Sequence, residues 1–257
     1  MKLFLEHKKY IVTGSSRGIG LGIAKTLLEE GASVMITGID SAEVMDTFTQ
    51  LNNEFSEKVM FQDGNLTDPI VITLLENKII KEWGNIDGII ANAGAVKPVP
   101  DWDILTLDWD WYFQNNFEIA VGLVTMTIPY LIKTKGNIVF IGSIAGIEEI
   151  GAPLPYSTSK AALTMYSKGL SRKLAQYKIR VNTVAPGNII FKDGNWDKKS
   201  KTDLASVNKM LEEKVPLKQF GTPEDIGNIV AFLLSEKAKF ITGACIVIDG
   251  GQTSMCA

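Results

Sequence analysis

The sequence predicts a doubly wound α/β fold, a seven-stranded parallel sheet with helices on both faces. Three observations predict it. Short apolar runs alternate with segments of helical periodicity along the whole chain. The runs are continuously apolar, the pattern of strands buried on both faces. A glycine-rich turn joins the first run to the first helix, as in a βαβ unit feeding a parallel sheet.

The elements follow in order. Tyr10-Ile11-Val12-Thr13 is a β run, and Ile19 to Glu30 has apolar residues at helical spacing with Gly31 as a stop. Ser33 to Thr37 is the second strand, and Ser41 reads as the N-cap of a helix reaching about Asn53. Val59-Met60-Phe61 is the third strand, and Asp68 starts a helix ending near Trp83-Gly84. Gly88 to Ala91 is the fourth strand, followed by one long helix from Leu107 to Ile132. Asn137 to Ile141 and Pro155 to Leu174 form the next strand and helix. Arg180 to Val184, a helix from Pro223 to Leu234, and Cys245 to Ile248 complete the set.

No repeat and no Pro- or Ser-rich linker divides the chain, so residues 1–257 read as one Rossmann-type domain. The stretch from about 187 to 221 lacks clear periodicity, and a stretch that long suggests a lid over a binding site.

Composition excludes several function classes. The net charge of -3 gives no basic face for nucleic acid. The N-terminal apolar stretch is too short for a signal peptide, and no run of 18 apolar residues suggests a membrane span. Two cysteines, Cys245 and Cys256, cannot build a disulfide framework or a four-thiolate zinc site, which points to a reducing cytoplasm. The single histidine, His7, precedes the first strand, so a Ser-His-Asp triad and a multi-histidine metal site are not expected. Any acid–base group must be of another residue type.

Thr13-Gly14-Ser15-Ser16-Arg17-Gly18-Ile19-Gly20 links the first strand to the first helix. Glycines let a backbone approach a pyrophosphate, and a helix N-terminus offers free N–H groups. The spacing is G-x-x-x-G-x-G, neither the G-x-G-x-x-G dinucleotide fingerprint nor a nucleoside-triphosphate loop. A tight structural turn remains a reading of these residues alone.

Tyr156 and Lys160 are four residues apart on a predicted helix and share a face. A phenol is a poor base at neutral pH, and an ammonium on the same face favours the phenolate. Ser143 lies just past the fifth strand, thirteen residues before Tyr156. The glycine turn, Asn92-Ala93-Gly94, Gly142-Ser143 and Pro186-Gly187 all fall at predicted strand C-termini, where open α/β sheets bind ligands.

Together these residues resemble the short-chain dehydrogenase/reductase family over nearly the whole chain. The resemblance implies an NAD(P)-dependent oxidoreductase that moves a hydride between a nicotinamide and a secondary alcohol or ketone. It implies that Tyr156 is the acid–base group, that Ser143 hydrogen-bonds the reacting oxygen, and that Lys160 lowers the tyrosine pKa and holds the nicotinamide ribose. Asn116 takes the place of an asparagine holding a proton-relay water. The cofactor set implied is Gly14, Ser16, Arg17, Gly18, Ile19 and Gly20 of the turn, then Gly38, Asn65 and Leu66, then Asn92, Ala93 and Gly94. Pro186, Gly187 and Ile189 match the segment along the nicotinamide. No metal is implied, and relatives usually form tetramers through the long helices and the C-terminal strand. The 250–257 tail is apolar enough to pack on a neighbour.

The sequence departs from the family pattern in places. Gly38 stands where members selecting NAD usually carry an acid. Arg17 could meet a 2′-phosphate, while Asp40 could still reach a ribose, so NADP(H) is favoured over NAD(H). Asn65 replaces a common aspartate beside the adenine, and Phe191 replaces a threonine that contacts the carboxamide. Lys192, Lys198, Lys199 and Lys201 beside Trp196 could attract an anionic substrate, or form a solvated face. Glu148 and Glu149 could approach a polar substrate. Trp102, Trp109 and Trp111 suit a pocket, an interface or the core. Two alternatives stand beside this reading: a non-catalytic dinucleotide sensor or scaffold, and a nucleotide-sugar enzyme. The first would be expected to lack Tyr156 or Lys160, and the second to carry an additional C-terminal domain.

Overall fold

The computed structural model describes residues 2–255. Cys256 lies outside them, as does the end of the expected tail. Seven parallel strands form one sheet: β1 (Lys9–Val12), β2 (Ser33–Gly38), β3 (Val59–Asp63), β4 (Gly88–Ala91), β5 (Asn137–Ile141), β6 (Arg180–Pro186) and β7 (Cys245–Ile248). Their order is β3-β2-β1-β4-β5-β6-β7. Tyr10 pairs with Val34 on one side and Gly88 on the other, so β1 and β4 sit side by side at the centre.

Successive strand residues point to opposite faces, and the core divides accordingly. Tyr10, Val12, Val34 and Ile36 pack against α1 (Gly18–Glu29), α2 (Ser41–Phe55) and α9 (Pro223–Leu234). Ile11, Met35, Ile89 and Phe140 pack against α3 (Pro69–Lys78), α5 (Ile119–Thr134) and α6 (Leu154–Leu174). The sequence pattern therefore produces the three-layer arrangement it predicted. The helix leaving β1 covers one face, while the chain leaving β4 covers the other.

Local details differ from expectation. The cap of α2 is Asp40 rather than Ser41, because the Asp40 carboxylate accepts from the N–H groups of Ala42 and Glu43. Ser41 instead donates to Asp63 at 2.5 Å. Capping by Asp68 holds. The expected helix from Leu107 to Ile132 runs from Thr106 to Thr134, with α4 (Thr106–Phe113) and α5 separated by a π turn at Gln114–Glu118. By length and mean hydropathy this helix is long and apolar enough to cross a bilayer, although it holds no run of 18 apolar residues. Its inner residues Leu123, Val124 and Leu131 are instead fully buried against the sheet. The 187–221 stretch contains two helices, α7 (Asn195–Thr202) and α8 (Leu204–Lys214). Their polar composition hides the period, since neither buries more than one side chain.

The start of the tail folds back on its own chain. Asp249 accepts from Gly251 N and Thr253 N, and Gly250 O accepts from Leu217 N. His7 is exposed, and no cluster of metal-ligating side chains occurs among the described residues.

Leu123 fills the space between α5 and the sheet. Leu123→Ala is expected to destabilise the fold by about 2–5 kcal/mol through lost burial and a residual cavity. Urea denaturation followed by circular dichroism measures this as a lower midpoint.

Candidate active site

Two neighbouring strands whose helices leave to opposite faces open a crevice beyond their carboxyl ends. Here it lies between β1 and β4, and the side chains that shape it come from the turns following these strands. Thr13 Oγ1 accepts from the N–H groups of Asn92 and Ala93, each at 2.9 Å. The Asn92 amide donates to the carbonyls of Thr13 at 2.9 Å and Gly14 at 3.0 Å. Ser15 Oγ donates to Val12 O and accepts from Thr37 N, tying the turn to β2. Gly14 and Gly18 have φ of 60° and 59°, in the left-handed region that favours glycine. A Cβ at Gly20 would lie 2.3 Å from Gly14 O, so only hydrogen fits there. The N-cap of α1, Arg17, makes no side-chain capping bond, which leaves the first N–H groups of the helix aimed into the crevice.

A cleft of about 460 Å³ occupies this edge of the sheet. Gly14, Arg17, Gly18, Ile19 and Gly20 line it from the turn. Asn92, Gly94 and Asn116 line it from the β4 side, and Gly187 and Ile189 from the end of β6. Tyr156 and Lys160 form its floor from α6. Other expected residues do not line it. Ser16, Gly38, Ala93, Ser143 and Pro186 are not wall residues, and neither are Asn65, exposed and accepting from Thr67 N, or Leu66, buried in the core.

The Ser143 hydroxyl acts on the Tyr156 phenol and accepts from Ala145 N at 3.1 Å. The phenol is held above its usual value by burial, with the Ser143 hydroxyl pulling it back. Lys160 is buried and donates to Ile141 O at 2.9 Å, while its Nζ lies 5.9 Å from the centroid of the Tyr156 ring. Burial lowers the lysine itself to about 8. An ammonium has three donors, and only Ile141 O accepts one among the described residues. The remaining donors suit vicinal hydroxyls such as those of a ribose.

Asn116 sits inside the π turn, completely buried. Its amide donates to Ala95 O at 2.9 Å and Tyr112 O at 3.0 Å, and its Oδ1 accepts from Ala95 N at 3.1 Å. A Cβ at Gly94 would lie 2.8 Å from that Oδ1 and 3.2 Å from Lys160 Nζ. The space above Gly94 is thus a cradle bounded by polar atoms, and with the uncapped helix end it fits a dinucleotide.

One contributor was not evident in the sequence. Tyr112, four residues before Asn116, is fully buried, hydrogen-bonds the Lys97 backbone and packs edge-on against Tyr156. Spacing on one helix face was the only signal for it. Phe191 rests against the turn, its ring 2.9 Å from the point where a Gly18 Cβ would stand. Of the four lid lysines, only Lys198 lines the cleft. Lys201 pairs with Asp197 at 2.6 Å, which holds that carboxyl below its usual range, and Lys199 lies over Trp196. Trp102 is exposed, Trp109 lines a separate surface groove, and Trp111 packs edge-on against Tyr112. Glu148 and Glu149 do not face a substrate freely. Glu148 accepts from Ser254 N and Met255 N, and Glu149 from Gly151 N.

Burial disfavours the Lys160 ammonium, so the folded chain releases its proton at about 8 while an unfolded lysine keeps it to 10.5. Between these values the unfolded state binds more protons, and stability rises with pH. Below about 8 the burden is present in full. Lys160→Met is therefore expected to be more stable than the parent at pH 7. Its advantage should shrink as pH rises from about 8 to 10.5, as read from urea midpoints at each pH.

Comparisons with known proteins agree with this geometry. Residues 14–253 match the family model described as enoyl-(acyl carrier protein) reductase. The 3-oxoacyl-(acyl-carrier-protein) reductase FabG of Chlamydia muridarum is 33% identical, with 98% of this chain and 100% of that protein aligned. The enzyme of the same name from Aquifex aeolicus is 32% identical over the same shares. The structure of L-sorbose reductase from Gluconobacter frateurii, complexed with NADPH and L-sorbose, superposes with a TM-score of 0.93 at 26% identity over 100% of both chains. The chain belongs to the short-chain dehydrogenase/reductase family, as an NAD(P)-dependent oxidoreductase acting on CH–OH and C=O groups.

Proposed function

We propose that the chain interconverts a small-molecule ketone and its secondary alcohol with NADP(H) in preference to NAD(H), Tyr156 serving as the acid–base group. The observation that carries this is the pairing of Tyr156 and buried Lys160 on the wall of the cleft that the glycine turn opens. A bound nicotinamide would supply or accept the hydride. In reduction, Ser143 Oγ and Tyr156 Oη donate to the substrate oxygen, and Tyr156 delivers its proton there as the alcohol forms. In oxidation the same phenolate removes that proton. Lys160 donates to the ribose hydroxyls and stabilises the phenolate electrostatically. Asn116 keeps Ala95 and Tyr112 in register and holds a water with the remaining lone pair of Oδ1.

The glycine turn, Asn92-Ala93-Gly94 and the Pro186-Gly187-Ile189 segment hold the dinucleotide along the cleft, with Ser16, Gly38, Asn65 and Leu66 shaping its adenosine end. Gly38 introduces no carboxylate, and Arg17 at the cleft mouth suits a 2′-phosphate. The NADPH bound by the sorbose reductase supports this preference. Residues 187–221 act as a lid within one domain. The free Cys245 thiol suits a reducing cytoplasm.

Titrating tryptophan fluorescence with NADPH and NADH, together with Tyr156→Phe, tests the reading. The parent is expected to bind NADPH more tightly and to reduce members of a ketone panel. Tyr156→Phe is expected to keep its cofactor affinity and lose roughly 10²–10⁴-fold in turnover. Binding of neither cofactor, or full turnover by the variant, would refute the assignment.

We also propose a homo-oligomer, a tetramer by family resemblance. Leu107 and Met165, on α4 and α6, are 77% and 72% exposed, and β7 is a half-buried apolar edge strand. Unpartnered apolar surface of this kind marks interfaces. Sedimentation velocity should show a species several times the mass of one chain, and a monomer would remove the proposal.

A further inference from the structure

Glu43, on the first turn of α2, faces the glycine-rich turn. Ser16 Oγ donates to its Oε2 at 3.3 Å, and Arg17 Nε lies 3.7 Å from its Oε1. One carboxylate therefore engages two polar side chains of the turn, Ser16 and Arg17. The other acids nearby are committed elsewhere: Asp40 Oδ1 caps α2 by accepting from Ala42 N and Glu43 N, and Asp63, beside Gly38 on β3, accepts from Ser41 Oγ. Position 38 has no room for a side chain. A Cβ there would lie 2.6 Å from Val44 Cγ2 and 2.9 Å from Ser16 Oγ. With the strand end closed by packing, the acidic group at this corner comes from the helix.

We infer that Glu43 sets the balance between NADP(H) and NAD(H) by competing with a 2′-phosphate for Arg17 and Ser16. This rests on the reading that the cleft holds a nicotinamide dinucleotide with its adenosine ribose beside the end of β2. A 2′-phosphate would seek the Arg17 guanidinium through charge-assisted hydrogen bonds. To gain them it must displace Glu43 and accept a like charge as neighbour. A 2′-hydroxyl meets neither obstacle and can donate to the same carboxylate. The Arg17 and Glu43 side chains are 63% and 37% exposed, so solvent screens the pair and its effect is moderate. Arg17 and Glu43 thus act in opposite directions, and the NADP(H) preference set by Arg17 is smaller than Arg17 alone would give.

Glu43→Gln keeps the shape and an acceptor for Ser16 while removing the charge. Dissociation constants for NADPH, NADH, adenosine 2′,5′-bisphosphate and 5′-AMP would be measured by fluorescence and calorimetry. The same set would be repeated for Arg17→Ala and for the double variant. Glu43→Gln is expected to tighten both 2′-phosphorylated ligands by about three- to tenfold. NADH and 5′-AMP should stay within about twofold, and the gain should vanish in the Arg17→Ala background. Equal shifts for all four ligands would mean that Glu43 only supports the start of α2, and unchanged constants would mean that it does not compete. Either result overturns the inference while leaving the cofactor reading intact. Failure of the parent chain to bind NADPH and NADH overturns the cofactor reading, and this inference with it.

Discussion

Where β1 and β4 end side by side, the chain leaves the sheet in opposite directions, and the backbone groups there lose their ladder partners. Buried N–H and C=O groups must be paired. Thr13 Oγ1 takes the N–H groups of Asn92 and Ala93, and the Asn92 amide takes the Thr13 and Gly14 carbonyls. This interlock holds the two turns apart at the width of the crevice, yet close enough that Gly20 tolerates no Cβ. It also satisfies the turn with side chains rather than with the helix end. The first N–H groups of α1 are left for a ligand.

The floor of the crevice shows the opposite choice, with polar groups buried and incompletely satisfied. Lys160 is almost fully buried with one carbonyl partner, and burial lowers it far from its ordinary value. Tyr156 is pushed up by the same burial, only partly offset by Ser143. A fold selected for stability alone would place apolar side chains here. The arrangement makes sense for an oxidoreductase whose ligand completes the hydrogen bonding and brings the ammonium into play. Tyr112 and the Asn116 amide give that floor its rigidity, since both bond to the backbone of the loop following β4.

Around the cleft, segments distant in sequence meet. Phe191 lies on the glycine turn, giving apolar contact where a threonine would give a hydrogen bond. Leu217, at the far end of the 187–221 stretch, donates to Gly250 O, and Glu148, in the loop after Ser143, holds Ser254 and Met255. The loop carrying Ser143, the proposed lid and the chain's last described residues are thereby connected through the backbone of the 249–255 segment.

The sequence by itself determined the strands, the helices outside the 187–221 stretch and the sheet edge at which the motifs gather, while Ser143, Tyr156 and Lys160 came as a set through the family resemblance. Periodicity reports burial, and the end of an apolar run locates a strand terminus, so these features are local and legible. Tertiary structure decided what depends on contacts across the chain. Asp40 rather than Ser41 caps α2 because Ser41 finds Asp63 on a neighbouring strand. The π turn carrying Asn116 leaves no mark in hydrophobic spacing, and the two polar helices of the 187–221 stretch carry too few buried residues to show a period. Glu148 reads as a free carboxylate until the tail is seen bound to it. Glu43 reads as an ordinary first-turn acid of a helix until the packing of Gly38 on Ser16 and Val44 brings it against Arg17. A pair of residues acquires its energy from distance, and distance between remote positions exists only once the chain has folded.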